Sequence, residues 1–584
     1  MIIIKKMIDI NKILKWQTSK SNIATIFIAM LLVASVASCN EDEFLKEVPL
    51  DFYSPENSYV TPEQFESAIV GLHSTYRESF WGQGGNSGSP RLMFYGTDLV
   101  MNDKDLGQAV PDYVALLDPT QDRVKYVWVA AYKMIFDANV IIGRADGPNS
   151  ELSETQKNSI KAEAYFFRAL GHKILANLYG DVPIVIEETS SPKRDFTRAS
   201  RAAVYEQCVT DLKMAVASLP DISNADDHRI SKEAANHLLS EIYVSLGQWS
   251  EAINAATSVI DNGSTALMTS RFGSRMNDTQ FGGDVYWDLF RQNNQNRSEG
   301  NTEALWVLQY EYLVSGGGDG DLLLERFTIP RLWRADINDT DGEKRSLLAG
   351  GPNTNYYGRG SGFQRPTTFF YNELWANSGG TDIRNSQYNI VRDFKVSNPD
   401  SPSDGMFVLA NGLERLKSYT DSARNFYPVL AKHSTPGRHP IELYSSNQSN
   451  PGSLTSSARQ TYRDHYSMRL AETYLIRAEA HLGNGDATSA AADINVVRQR
   501  AGAPDVTSGE VDIDYILDER LRELHFEEFR LLTLTRLGKL VDRARTYNPV
   551  FVGNSIQDHH NLWPIPFSEI ESNTEATLEQ NPGY

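Results

Sequence analysis

The chain is 584 residues long, with aromatics at 10% and charged residues at 22%, the composition of an ordinary globular protein with a large core. Its 75 acidic residues outnumber its 56 basic ones, giving a formal charge of −19, so no cationic surplus exists to neutralise phosphates, and nucleic acid is excluded as a partner. Cys39 and Cys208 are the two cysteines, too few for a disulfide framework.

Residues 1–38 read as a secretory signal: Lys5, Lys6, Lys12, Lys15 and Lys20, then an apolar run from Ile23 to Val36, then Ala37-Ser38-Cys39. The apolar run is short for a membrane span. Small residues ending at a cysteine resemble the lipobox of bacterial lipoproteins, in which Cys39 would be acylated and become the first residue. Removing five lysines and Asp9, a net +4, would leave −23 on the chain from Cys39 onward. Asn40-Glu41-Asp42-Glu43 resembles the surface-export signal of lipoproteins from Bacteroidota. Residues 39–60 then read as an acidic, lipid-anchored tether.

Helical signals begin at Thr61-Pro62-Glu63-Gln64, an N-cap, a proline in the first turn and a glutamine placed to cap back. Phe65, Ala68, Ile69, Leu72 and Tyr76 follow as one stripe. Further helices are expected over 124–143, 155–179 and 200–219, the last carrying Cys208 on its buried side. From Ser231, Ala235, Leu238, Leu239, Ile242 and Leu246 form a stripe that Gly247 ends, and Trp249, Ala252, Ile253, Ala256, Val259 and Ile260 begin another. A second such pair follows Met468, with Leu470, Tyr474, Leu475, Ala478 and Leu482 before Gly483, then Ala487, Ala491, Ile494, Val497 and Ala501. Neither helix of a pair buries its stripe alone, so stacked neighbours are required. The order Gly247, Trp249, Ala252, Ala256 resembles the tetratricopeptide repeat. One more helix is expected over 512–537, lined with Arg520, Arg522 and Arg530, with Glu519 and Glu523 pairing with those arginines at three- and four-residue spacing.

Between 265 and 460 helical periodicity fades while glycine, asparagine and aromatics rise. Ala304 to Tyr310 looks like a buried strand. A loop-rich stretch this long inside a compact chain usually carries function. Sugar recognition needs flat aromatic faces against C–H surfaces, with amides, carboxylates and guanidinium groups bonding the hydroxyls. Three places fit: Trp81, at the mouth of a glycine loop with Gln83 and Asn86; Trp333, in Arg331-Leu332-Trp333-Arg334; and Tyr356, Tyr357 and Arg359, in another glycine loop. Trp287 and Trp375, among apolar neighbours, read as core.

No metal site is expected. Asp336 to Glu343 places Gly342 one position late for an EF-hand and reads as an acidic turn, and His559-His560 reads as a surface pair. His-Glu-x-x-His, Gly-x-Ser-x-Gly and phosphate-loop motifs do not occur, so no catalytic residue and no cofactor is implied.

Several motifs share one order: Ala162-Glu163-Ala164-Tyr165-Phe166-Phe167-Arg168-Ala169 with Leu178-Tyr179-Gly180-Asp181-Val182-Pro183; Arg469-Leu470-Ala471-Glu472-Thr473-Tyr474; Arg365-Pro366-Thr367 and Asp382-Ile383-Arg384; Asp518-Glu519-Arg520; and the tail Asn581-Pro582-Gly583-Tyr584. Behind the Cys39 signal, this order resembles the SusD/RagB family of outer-membrane nutrient-binding lipoproteins. The resemblance implies a mostly α fold, a tetratricopeptide-like α-α superhelix with a large irregular lobe containing short strands. It divides the chain into the signal (1–38), the tether (39–60), an N-terminal helical part (61–264), the ligand-facing lobe (265–460), C-terminal helices (461–540) and a tail packing on the scaffold (541–584). It further implies a surface-exposed, lipid-anchored protein on the outer membrane. Such a protein binds a glycan without cutting it and passes it to a SusC-like TonB-dependent outer-membrane barrel. The alternatives are a surface glycoside hydrolase and a scaffold that binds only protein.

Overall fold

A computed structural model describes residues 58–82, 89–102, 113–318, 322–409, 424–446, 451–552 and 555–584. The chain divides into two units, Met1–Val60 and Thr61–Tyr584. Cys39 and the tether lie outside the described residues, as do Gln83 and Asn86.

The protein is mostly helical, and ten helices of eight or more residues occur among the described residues: α1 (Pro62–Tyr76), α2 (Asp122–Ala145), α3 (Glu154–Tyr179), α4 (Arg201–Ser218), α5 (Lys232–Leu246), α6 (Trp249–Ile260), α7 (Leu470–Gly483), α8 (Ala487–Arg500), α9 (Ile513–Leu524) and α10 (Leu540–Tyr547). Their starts follow from local chemistry. Gln64 caps back to the Thr61 amide at 3.2 Å, and Ser153, Ser200 and Ser231 each accept from the amide three residues on. Gly247 ends α5 at φ +70°, a conformation costly for a side chain bearing Cβ.

Helices α2 to α6 pack in sequence order, each on the next. The chain then leaves the helical layer for about two hundred residues and returns as α7, which packs directly on α6. The indole of Trp249 explains the fit: a Cβ on Gly483 would stand 2.7 Å from its ring, so the two Leu-Gly hinges nest only because Gly483 is bare. Bidentate ion pairs staple neighbouring helices, Arg168 to Asp211 between α3 and α4 at 2.8 and 2.6 Å, and Arg477 to Asp493 between α7 and α8 at 2.9 and 2.7 Å.

The expected buried strand is present at Ala304–Leu308, every residue buried, paired antiparallel with His465–Arg469. Trp306 at its centre stacks on Tyr76 at 4.9 Å and meets Phe166 and Phe167 edge-on, fixing the strand to α1 and α3. The remaining ladders are two-stranded and short. A second apolar core, built from Trp287, Ile329, Leu332, Ile337, Leu347, Phe394, Val408 and Val429, holds the loop-rich lobe together. Asn581 pins the tail to the end of α3, donating to the Tyr179 and Trp563 carbonyls at 2.8 and 2.7 Å.

Two sequence expectations are corrected here. The helix expected over 512–537 breaks after Leu524, because Phe526 turns into the core with φ +58°, and a short helix restarts at Arg530–Arg536. The charged face of α9 is accordingly not a solvated ladder. Glu519 and Arg522 do pair, at 3.0 Å, but Glu519 also accepts from Arg384 at 2.7 Å and Arg498 at 2.9 Å. Glu523 pairs with Arg384, Arg469 and Arg500, and Arg520 with Glu472 and Glu528. Burial by itself would raise the Glu519 carboxyl; Arg384, Arg522 and Arg498 outweigh it and hold it down at about 2. The second correction is His560, which is buried against the Tyr113 ring rather than at the surface.

Candidate functional site

Beyond Leu308 the strand releases a glycine loop, and its shape is set by backbone constraints. The Glu311 amide donates to the Gly317 carbonyl at 2.8 Å, and the Gly317 amide to that of Val314 at 2.9 Å. Leu313, Gly316 and Gly318 all take positive φ. Arg77, in the π-helical turn that extends α1, clamps this loop by donating to the Gln309 carbonyl at 3.0 Å and the Gly316 carbonyl at 2.8 Å.

The loop walls a cleft of about 510 Å³, within the range of small-molecule sites. Tyr310, Tyr312 and Tyr462 supply aromatic surface, with Tyr312 edge-on to Tyr462 at 5.4 Å. The opposite chemistry is polar. Asp464 accepts from the Tyr310 amide and from Asn296 Nδ2, both at 2.7 Å, and Gln309 Nε2 donates to Asn296 Oδ1 at 2.9 Å. Burial pushes the Asp464 carboxyl up to about 6, against the pull of those two hydrogen bonds. Flat rings beside a fixed carboxylate, amides and a guanidinium form the set that a sugar ring and its hydroxyls require. A second cavity of about 500 Å³, lined by Trp128, Tyr132, Phe136, Phe196 and Leu578, is largely apolar and offers few hydroxyl partners.

The sequence-derived candidates that are described fall in two places. Trp81 is a correction: it is 1% exposed, stacked on Phe529 at 4.5 Å and packed on His465 at 4.1 Å. The π-helical turn swings it inward, onto partners hundreds of residues away that local sequence does not reveal. Trp333, Tyr356 and Tyr357 all lean, half-buried, on the lobe core. Trp333 donates from Nε1 to the Gly360 carbonyl at 3.0 Å, and the Arg359 guanidinium lies 5.8 Å from its ring centre. Tyr357 sits at φ +66°, unusual for a bulky residue.

Behind this loop lies Glu325, fully buried. It accepts from the Arg359 amide at 3.1 Å and from Thr435 Oγ1 at 3.2 Å, and His439 Nε2 stands 3.0 Å from it. A side chain on Gly358 would overlap the Glu325 carboxylate, which is why the loop needs glycine there. His439 in turn meets Tyr462 edge-on at 5.6 Å. The 353–359 loop and the cleft thus share one buried polar spine. Tyr310, Tyr312, Tyr462, Arg77 and Asp464 were missed in sequence, although the Gln309-Tyr310-Glu311-Tyr312 alternation running into three glycines was the available signal.

A stacked-hairpin scaffold presenting a loop-built, tyrosine-walled cleft defines the class of this protein. A model of the SusD family matches residues 331–584, and a model described as starch-binding associating with outer membrane matches residues 97–244. The chain belongs to the SusD/RagB family. A SusD-like protein of Formosa agariphila is 25% identical over 605 residues, spanning 96% of this chain and 99% of its own. The starch-binding protein SusD of Bacteroides thetaiotaomicron is 33% identical over 142 residues, 24% of this chain and 25% of its own. Among solved structures, a laminarin-binding SusD-like protein superposes with a TM-score of 0.62 at 22% identity, covering 89% of this chain and 99% of that one. Surface glycan-binding protein A from Bacteroides thetaiotaomicron, in complex with laminarihexaose, does so with a TM-score of 0.63 at 19% identity and the same coverage. At these identities the structural likeness establishes the fold alone.

Proposed function

We propose that this protein is a lipid-anchored binding protein of the outer-membrane surface. It holds an oligosaccharide in the Tyr310–Tyr312–Tyr462 cleft and passes it, uncut, to a SusC-like TonB-dependent barrel. The observation that carries the binding step is the cleft itself, three tyrosines facing a carboxylate and amides already fixed by hydrogen bonds. Family membership supports it, since a relative is a starch-binding protein and the structural neighbours include a laminarin-binding protein and one in complex with laminarihexaose. Anchoring rests on Cys39 and the signal before it, and delivery to a barrel rests on the family resemblance.

Holding without cleavage rests on the family resemblance. Glycoside hydrolysis needs two carboxyls flanking the scissile bond, one free to give a proton. Asp464 and Glu311 both line the cleft, so cleavage has to be measured directly. The test is calorimetric titration with a panel of oligosaccharides, starting with laminarihexaose. Tyr312→Ala is expected to weaken binding by roughly tenfold while leaving the fold intact, because one stacking face is lost. Unchanged affinity would remove the cleft from the account, and release of reducing ends over time would favour the hydrolase.

A further inference from the structure

Buried arginines meet carboxylates both in the scaffold, as Arg168 does Asp211, and in the lobe, as Arg275 does Asp278 and Arg384 does Asp382, but one group of lobe arginines does not. Arg326, Arg334, Arg359 and Arg459 have no carboxylate within ion-pairing distance among the described residues. The guanidinium groups of Arg459 and Arg359 act on that of Arg326, so cations there face cations. In a chain of charge −19 such grouping is not an accident of composition.

The glycine loop assembles the group. A Cβ on Gly360 would overlap the Ile329 and Pro330 carbonyls, so the bare backbone lies flat on that segment. This closeness brings Arg334 and Arg359 over Trp333, at 4.9 and 5.8 Å from its ring centre, and sets Arg326 over Phe363 at 5.4 Å. A guanidinium resting on an aromatic ring keeps its planar edge of donors pointing outward, ready for a two-oxygen anion. The strip also reaches the cleft: the Arg459 amide donates to the Tyr462 hydroxyl at 3.1 Å, and Tyr462 is a wall of the cleft.

We propose that this arginine strip binds the acidic substituents, carboxylate or sulfate, of an anionic polysaccharide whose sugar rings occupy the adjoining cleft. The inference rests on the glycan-binding reading and adds a ligand class to it. Three guanidinium groups laid on rings, with Arg459 beside them, would read charge, while the tyrosines read the ring face.

The test uses the full-length lipoprotein in detergent and titrates three probes at low and at high salt: a hexagalacturonate, a sulfated galactan hexasaccharide and the neutral laminarihexaose. One or both charged probes should bind roughly tenfold or more tighter than the neutral one, with affinity falling as salt rises. The arm that binds identifies carboxylate or sulfate as the group recognised. Arg334→Gln with Arg459→Gln, both at exposed positions, should abolish the preference for charge. Tyr312→Ala should weaken charged and neutral probes alike. A neutral probe binding as tightly as the charged ones, or a preference that survives the arginine changes, would overturn the charge inference and leave the cleft standing. Binding of none of the three would overturn both.

Discussion

The helical scaffold and the loop-rich lobe solve the same problem, burying a large irregular surface, by different physics. The scaffold uses repeated apolar stripes and then locks them with buried ion pairs that cross from helix to helix, as Arg168 does to Asp211. The lobe has ladders of two strands, many residues at positive φ, and, beside ion-paired arginines such as Arg275 and Arg384, a group of arginines laid on aromatic rings with no carboxylate partner among the described residues. One region is held in a single arrangement by its own ion pairs; the other groups cations at its surface, where we propose a ligand meets them. The comparison teaches where to look for function: at the boundary, where Arg77 of the scaffold clamps the loop of the lobe.

The contrast is broken most severely at Glu523. Glu523→Ala would leave Arg384, Arg469 and Arg500 buried without that carboxylate, and should cost about 3–5 kcal/mol, read as a lowered denaturation midpoint. A loss below about 1 kcal/mol would mean that the network is not what holds the two regions together. Acid probes the same network without mutation. Glu519 is held at about 2 against an ordinary 4.5, and Asp98, between Arg530 and Arg543, at about 2 against 3.8. These carboxylates are lowered in the folded state, so their contribution is complete above the ordinary values and is lost as pH falls from about 4.5 towards 2. The denaturation midpoint should drop through that window, and a Glu519→Gln variant should show a shallower slope.

Trp81→Ala comes next. Because the indole is core, the change should cost about 3 kcal/mol or more, with any effect on ligand following from loss of fold. A stable variant with selectively weakened glycan binding would return Trp81 to the ligand face. Gly483→Ala is milder: its methyl meets the Trp249 ring and should cost about 1–3 kcal/mol, and Trp249→Leu in the same chain should recover part of that loss.

Where the scaffold was concerned, periodicity and caps were enough. The stripes at Ala235–Leu246 and Leu470–Leu482 repeat at 3.6 residues, and Ser231, Gly247 and Thr61 mark ends through bonds made within four residues. The break at Phe526 was invisible because its cause is tertiary: a ring drawn into the core pulls the backbone out of helix. The lobe was legible only as composition. Tyr356, Tyr357 and Arg359 stand in a glycine loop and Trp333 among arginines; the three aromatics pack on one core, with Arg359 over Trp333. Trp81 had the same signature and went inside, since exposure depends on Phe529 and His465, which arrive from far along the chain. The Tyr310–Tyr312–Tyr462 cleft joins segments about 150 residues apart, a distance over which no local pattern operates.

The central claim is that a ligand's sugar rings lie against Tyr310, Tyr312 and Tyr462. A crystal structure of the protein with whichever oligosaccharide of the panel binds tests it most directly. The account predicts an intact chain of sugar rings on those tyrosines, with hydroxyls within hydrogen-bonding reach of Asp464 or Gln309. Sugar density in the apolar groove beside Trp128, or a product cleaved in place, would contradict it.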